Sequence, residues 1–132
     1  LTCNRDSENK IIALSPDGTK THEIPFDSYA STVVLYSDRY FYCMDGQLKT
    51  FIDRTVPRYT EISNKDFYFI LSAADTNRQN MQRTVEALRG FTQDCLEGTR
   101  EKGILYGTGV WQKGEVKSLP VFKQAYEMGK NC

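Results

Sequence analysis

Histidine and cysteine come first, because they carry most nucleophilic, metal-binding and proton-shuttling chemistry. The cysteines are Cys3, Cys43, Cys95 and Cys132. No two are close and no Cys-x-x-Cys occurs, so an iron–sulfur cluster or a Cys-type zinc site lacks its ligand framework. The irregular spacing in a 132-residue chain with an ordinary core predicts four reduced thiols in a cytoplasmic protein, not a disulfide scaffold. His22 is the only histidine. A His-based metal site or a Ser-His pair would rest on it alone, and its neighbours Lys20, Thr21 and Glu23 mark a solvated position. The expectation is no metal site and no catalytic side chain.

Other chemistry is concentrated in three segments. Residues 37–46 carry Tyr40, Phe41, Tyr42 and Met44. Residues 72–76 are small and end in Asp75-Thr76, which read as a helix N-cap with electropositive amides behind it. Residues 107–111 hold Gly107, Gly109 and the single Trp, Trp111. Flat side chains to stack and backbone amides to bond a ring edge suit a planar aromatic ligand. The residues equally allow the plainer reading, in which the aromatics fill the core and the glycines make turns. Trp111 lines the mouth of a cavity or packs its loop; Asp75 faces the ligand, caps the helix, or does both.

The elements that must position these segments follow from hydropathy. Thr32-Val33-Val34-Leu35-Tyr36 and Phe67-Tyr68-Phe69-Ile70-Leu71 read as strands buried on both faces, and Ile104-Leu105-Tyr106 as a third short strand. Leu48, Phe51 and Ile52 have helical spacing, limited by Pro57. Met81, Val85 and Leu88 form the apolar stripe of a second helix. Gly90 interrupts it, Phe91, Cys95 and Leu96 continue it, and Gly98 stops it. Pro120 opens a last helix with Val121, Phe122, Ala125 and Tyr126 on one face and Gly129 as its cap. Strand–helix alternation from Thr32 predicts an α/β fold with a mainly parallel sheet and right-handed crossovers. In such sheets ligands bind beyond the carboxyl ends of the strands, where the three segments lie. Before Thr32, Lys10–Leu14 and residues 20–24 flank Ser15-Pro16-Asp17-Gly18-Thr19, a strong turn string, and predict a hairpin.

Composition narrows the function classes. Apolar residues are 39% of the chain, and eight Tyr, seven Phe and one Trp are enough for a core. Seventeen basic residues balance seventeen acidic ones, so no electrostatic footprint points to nucleic acid or an anionic membrane. Apolar runs are far too short to span a bilayer, and no basic-then-apolar leader opens the sequence, so neither a membrane segment nor a secretory signal is expected.

The string Tyr40-Phe41-Tyr42-Cys43-Met44-Asp45-Gly46-Gln47-Leu48-Lys49-Thr50-Phe51-Ile52-Asp53-Arg54-Thr55 resembles the flavodoxin-like NAD(P)H-dependent FMN reductases, which include iron–sulfur flavoproteins and quinone reductases. The likeness continues through Pro57-Arg58-Tyr59, Lys65-Asp66-Phe67-Tyr68-Phe69, Ala73-Ala74-Asp75-Thr76, Gly107-Thr108-Gly109-Val110-Trp111 and Lys123-Gln124-Ala125-Tyr126-Glu127-Met128-Gly129. It covers about 32–131, roughly three quarters of the chain. The resemblance implies a three-layer α/β/α domain over 1–132, with 1–31 atypical. It implies FMN held by Ser37, Tyr40, Phe41, Tyr42 and Met44 on one side and by Ala73, Ala74, Asp75 and Thr76 on the other. NAD(P)H would be the reductant, a quinone, flavin or similar molecule the acceptor, and the chain a homo-oligomer such as a dimer.

Two departures stand against a full carry-over. The family's Thr/Ser-Pro-Val is here Ser37-Asp38-Arg39, a charge pair beside the expected flavin edge. The family's phosphate loop, a Ser-x-Arg-x-x-Gly-Asn-Ser/Thr string after its first strand, has no counterpart in residues 1–31. Arg54 and Arg58 are candidate phosphate partners or simply solvated helix-end charges. A non-catalytic flavodoxin-like module, binding a partner or oligomerising, is therefore the alternative to an FMN-dependent oxidoreductase.

Overall fold

The computed structural model describes residues 10–14, 20–25 and 32–130. The chain divides into two compact units, 1–31 and 32–132. In the first, β1 (Lys10–Leu14) and β2 (Lys20–Pro25) pair antiparallel, with Ile11 opposite Ile24 and Ala13 opposite His22. These are the two strands of the expected hairpin. Its turn, 15–19, and the expectations on Cys3 and Cys132 lie outside the described residues.

The second unit carries β3 (Thr32–Tyr40), β4 (Cys43–Met44), α1 (Gly46–Arg54), β5 (Asp66–Ala73), α2 (Gln82–Arg89), β6 (Arg100–Thr108) and α3 (Pro120–Gly129). Its sheet order is β4-β3-β5-β6. The β3–β5 and β5–β6 pairs are parallel, whereas β4 is antiparallel to β3. The α/β, mainly parallel architecture expected from the alternation is present.

Side chains alternate across the sheet because the strand period is two. Leu35, Phe67, Phe69, Leu71 and Ala73 point to one face and pack with Ile52 of α1 and with Val85 and Leu88 of α2. That face holds the core. Tyr68, Ile70 and Leu105 share the other face with α3, which stands over β6. There Met128 Sδ lies 3.1 Å from where a Cβ on Gly103 would sit, so the helix approaches over a residue without a side chain. This cover does not reach β3: Val34 is 51% and Tyr36 53% exposed. The expectation that Thr32–Tyr36 is buried on both faces is therefore corrected. A continuous β-branched run shows that a strand forms, and the placement of helices decides how many faces are covered.

Four helix details also differ from expectation. Pro57 does not merely end α1; it opens a 3-10 turn, Val56–Glu61. Neither Asp75 nor Thr76 caps the second helix: Asn77 caps a 3-10 turn, Arg78–Met81, by accepting from the Gln79 amide, and α2 follows from Met81 with no side-chain cap of its own. Beyond α2 the chain winds as a π-helix over Gly90–Cys95. The wider turn rotates the apolar face, burying Thr92 and leaving Cys95 exposed. At the chain's last helix, Gly129 lies within α3 and Lys130 is its cap.

Candidate functional site

The site is built at the carboxyl ends of β3, β5 and β6. β3 does not stop at Tyr36. It runs on to Tyr40 and reverses through Phe41 and Tyr42 into β4, with Tyr40 opposite Cys43. Both turn residues have positive φ, 47° and 67°. Two-residue hairpins of this hand favour Asn-Gly because side-chain residues cost about 1–2 kcal/mol each in that region. Here the turn is Phe-Tyr, and Phe41 is 98% exposed.

The surroundings hold this turn from both ends. Ser37 is fully buried; its Oγ donates to Asp45 Oδ2 at 2.7 Å and accepts from the Asp45 amide at 2.9 Å. Asp45 Oδ1 in turn accepts from the Leu48 amide and caps α1. On the other side Arg39 donates to Asn80 O at 2.8 Å and to Asp75 Oδ2 at 2.9 Å. Its side chain is only 7% exposed, and its guanidinium lies 4.7 Å from the centre of the Tyr42 ring.

Asp38 and Arg39 are thus not a charge pair. Successive strand residues face opposite ways, so Arg39 joins Asp75 while Asp38 turns to the opposite face of the sheet. Asp75 also accepts from the Asn77 amide and the Asn80 side chain. Those bonds, the Asn77 amide first, hold its carboxyl below the usual aspartate range. Two of the amides expected to greet a ligand are consumed within the protein: Asn77 N serves Asp75 and Gln79 N serves Asn77.

The third segment is pinned to the second. Gly109 N donates to Asp75 O and Val110 N to Ala73 O. Glu115 Oε2 accepts from the amides of Trp111 and Gln112 at 2.7 and 2.8 Å, which lowers its pKa.

Between these segments and α3 lies a cleft of about 800 Å³. Tyr40, Phe41, Trp111 and Phe122 are among its walls, and Ile70, Ser72 and Leu105 among its floor residues. Of the nine residues the sequence pointed to, the cleft takes Tyr40, Phe41, Ala73 and Ala74. Ser37 and Met44 sit on the core side, Tyr42 lies against arginines, Asp75 is tied to Arg39, and Thr76 is exposed outside the lining.

The sequence reading did not single out Tyr36; it placed Asp38 beside the ring only as half of a charge pair with Arg39, and Ser72 only as part of the 72–76 segment. The Tyr36 hydroxyl donates to Asp38 Oδ1 at 2.7 Å, Ser72 Oγ donates to the same oxygen, and the two hydroxyls are 3.0 Å apart. Partial burial is the main cause raising the Tyr36 pKa, so the phenol stays a neutral donor at neutral pH. Strand parity was the signal available: residues 36, 38 and 40 share a face.

No protein-family model and no curated protein matches the sequence. Among solved structures the chain is similar to the Trp repressor binding protein from Bacillus subtilis. The TM-score is 0.63 at 19% identity, over 92% of this chain and 78% of that one. The fold is flavodoxin-like. At this identity the likeness concerns the fold alone.

A flavin tests the cleft in two parts. Its ring fits the aromatic walls at the carboxyl ends of the strands. Its phosphate does not find a cradle among the described residues: Lys113 is an exposed rim cation, Arg39 is engaged with Asp75, and Arg58 is paired with Glu61 away from the cleft. Among the described residues no group of three His, Cys, Asp or Glu is placed to hold a metal ion, and no helix is long and apolar enough to cross a membrane.

Proposed function

We propose that the cleft binds FMN by its ring and that the chain is an oxidoreductase carrying reducing equivalents from NAD(P)H to a quinone, flavin or similar acceptor. One observation carries the reading: the two aromatic residues that open the family-like string, Tyr40 and Phe41, line a large cleft at the carboxyl end of the parallel strands. The strained turn that presents Phe41 to solvent supports it, since such backbone persists where neighbours enforce it and clusters at ligand sites. The flavin, when bound, supplies hydride chemistry; the chain's residues stack on the ring, exclude water and set the charge beside it.

The unit of function in this proposal is a single flavodoxin-like domain over 1–132, with 1–31 its atypical part. A cytoplasmic setting goes with the exposed free thiols of Cys43 and Cys95. The second reading is a flavodoxin-like binding module in a homo-oligomer. The exposed Val34 and Tyr36 on the sheet favour it.

Trp111, the only tryptophan, reports on the cleft directly. FMN and riboflavin should both quench its fluorescence, with similar affinity if the ring alone is gripped. NADH or NADPH oxidation by the FMN-loaded protein is the second measurement. Absence of quenching by either flavin at micromolar concentration would remove the oxidoreductase reading and leave the binding module.

A further inference from the structure

The cleft floor carries a charge that the proposed ring chemistry does not use. Asp38 is a cleft residue whose Oδ1 takes hydrogen bonds from Tyr36 and Ser72. Among the described residues no lysine or arginine is within pairing distance of it. Its neighbour Arg39 also lines the cleft, but its guanidinium is paired with Asp75, and Lys113 lies on the exposed loop. Tyr40, Phe41, Trp111 and Phe122 line the same cleft.

A ligand that stacks in this cleft covers Asp38 and strips it of water. A covered carboxylate without a counter-charge is costly. The two hydroxyls satisfy one oxygen but bring no charge. A neutral ring offering an N–H would bond the carboxylate and still leave its charge uncompensated. An anionic ring would add repulsion. A ring with delocalised positive charge meets both demands, because aromatic faces also attract cations.

We propose that Asp38 makes this cleft prefer planar aromatic cations to neutral or anionic rings, so that within the reading above a cationic acceptor is favoured over a quinone or flavin. The inference rests on the cleft accepting a planar ring, as in the reading above, and does not require that ring to be a flavin. Tyr36 and Ser72 are positioning residues: they fix the carboxylate against the floor.

The test uses two three-ring probes of opposite charge, N-methylacridinium and anthracene-2-carboxylate, in equilibrium dialysis, with Trp111 quenching as a second readout. The unmodified protein should bind the acridinium at least about tenfold more tightly, the effect of one partly screened charge. Asp38→Asn should erase most of that preference. Lys113→Gln should weaken only the carboxylate probe. Ser72→Ala, which keeps the charge but frees its orientation, should reduce the preference by about two- to threefold. Raising salt from about 0.05 to 0.5 M should weaken acridinium binding in the unmodified protein, a check that needs no variant. Equal affinity for the two probes, or an unchanged preference in folded Asp38→Asn, would overturn the proposal. Acridinium selectivity without flavin quenching would sustain it while sinking the FMN reading. Flavin quenching without charge preference would do the reverse.

Discussion

The two faces of the β3–β5–β6 sheet obey the same alternation and have different fates. On one, Phe69 is 0% exposed beneath α1 and α2 at the centre of the core, with Val33 and Ile104 partly buried at its margins. On the other, α3 covers β6 and part of β5 but stops short of β3, where Val34 and Tyr36 remain in water. The first face supplies stability. The second, half covered, leaves room for a cleft whose walls are aromatic and whose floor is charged. In this domain the proposed site lies where the helical layer ends.

The largest effect should come from the closed face. Phe69→Ala removes a ring from the packed core and should cost about 3–5 kcal/mol by chemical denaturation, enough to unfold a marginal domain. A loss under about 1 kcal/mol would mean that the face is not packed as described. A smaller effect of opposite sign is expected at the cleft's rim. Phe41→Asn puts a residue tolerant of positive φ into the turn and should stabilise the domain by about 1 kcal/mol while weakening flavin or acridinium binding. Stability and binding falling together would show that Phe41 packs rather than serves the cleft. The smallest change belongs to the open face: Val34→Thr should shift stability by no more than about 0.5 kcal/mol in the monomer. A larger, concentration-dependent loss would indicate that a second copy covers that face.

How far the sequence led varies by residue. The three parallel strands, α1 and the last helix were legible because apolar runs and helical stripes are local signals. The cleft's location was legible in outline, since parallel sheets bind ligands at one end. The Phe41–Tyr42 turn was not, because it lacks the Asn or Gly that announces such hairpins. Its conformation is imposed by Ser37 gripping Asp45 and by Arg39 gripping Asp75, partners 8 and 36 residues away. Cys95 was misplaced for a similar reason: a π-helix adds a residue per turn and no local pattern marks it.

By itself, then, the sequence determined which segments become strands and helices and which end of the sheet collects the aromatic residues. Those outcomes depend on side-chain type and on spacings of two and of three to four residues. Tertiary structure decided that Ser37 is a buried staple, that Arg39 serves Asp75, that Asp38 faces the cleft without a counter-ion, and that half of one sheet face stays open. Each of these depends on which distant group arrives within a few ångströms, a property of the assembled layers that local spacing does not encode.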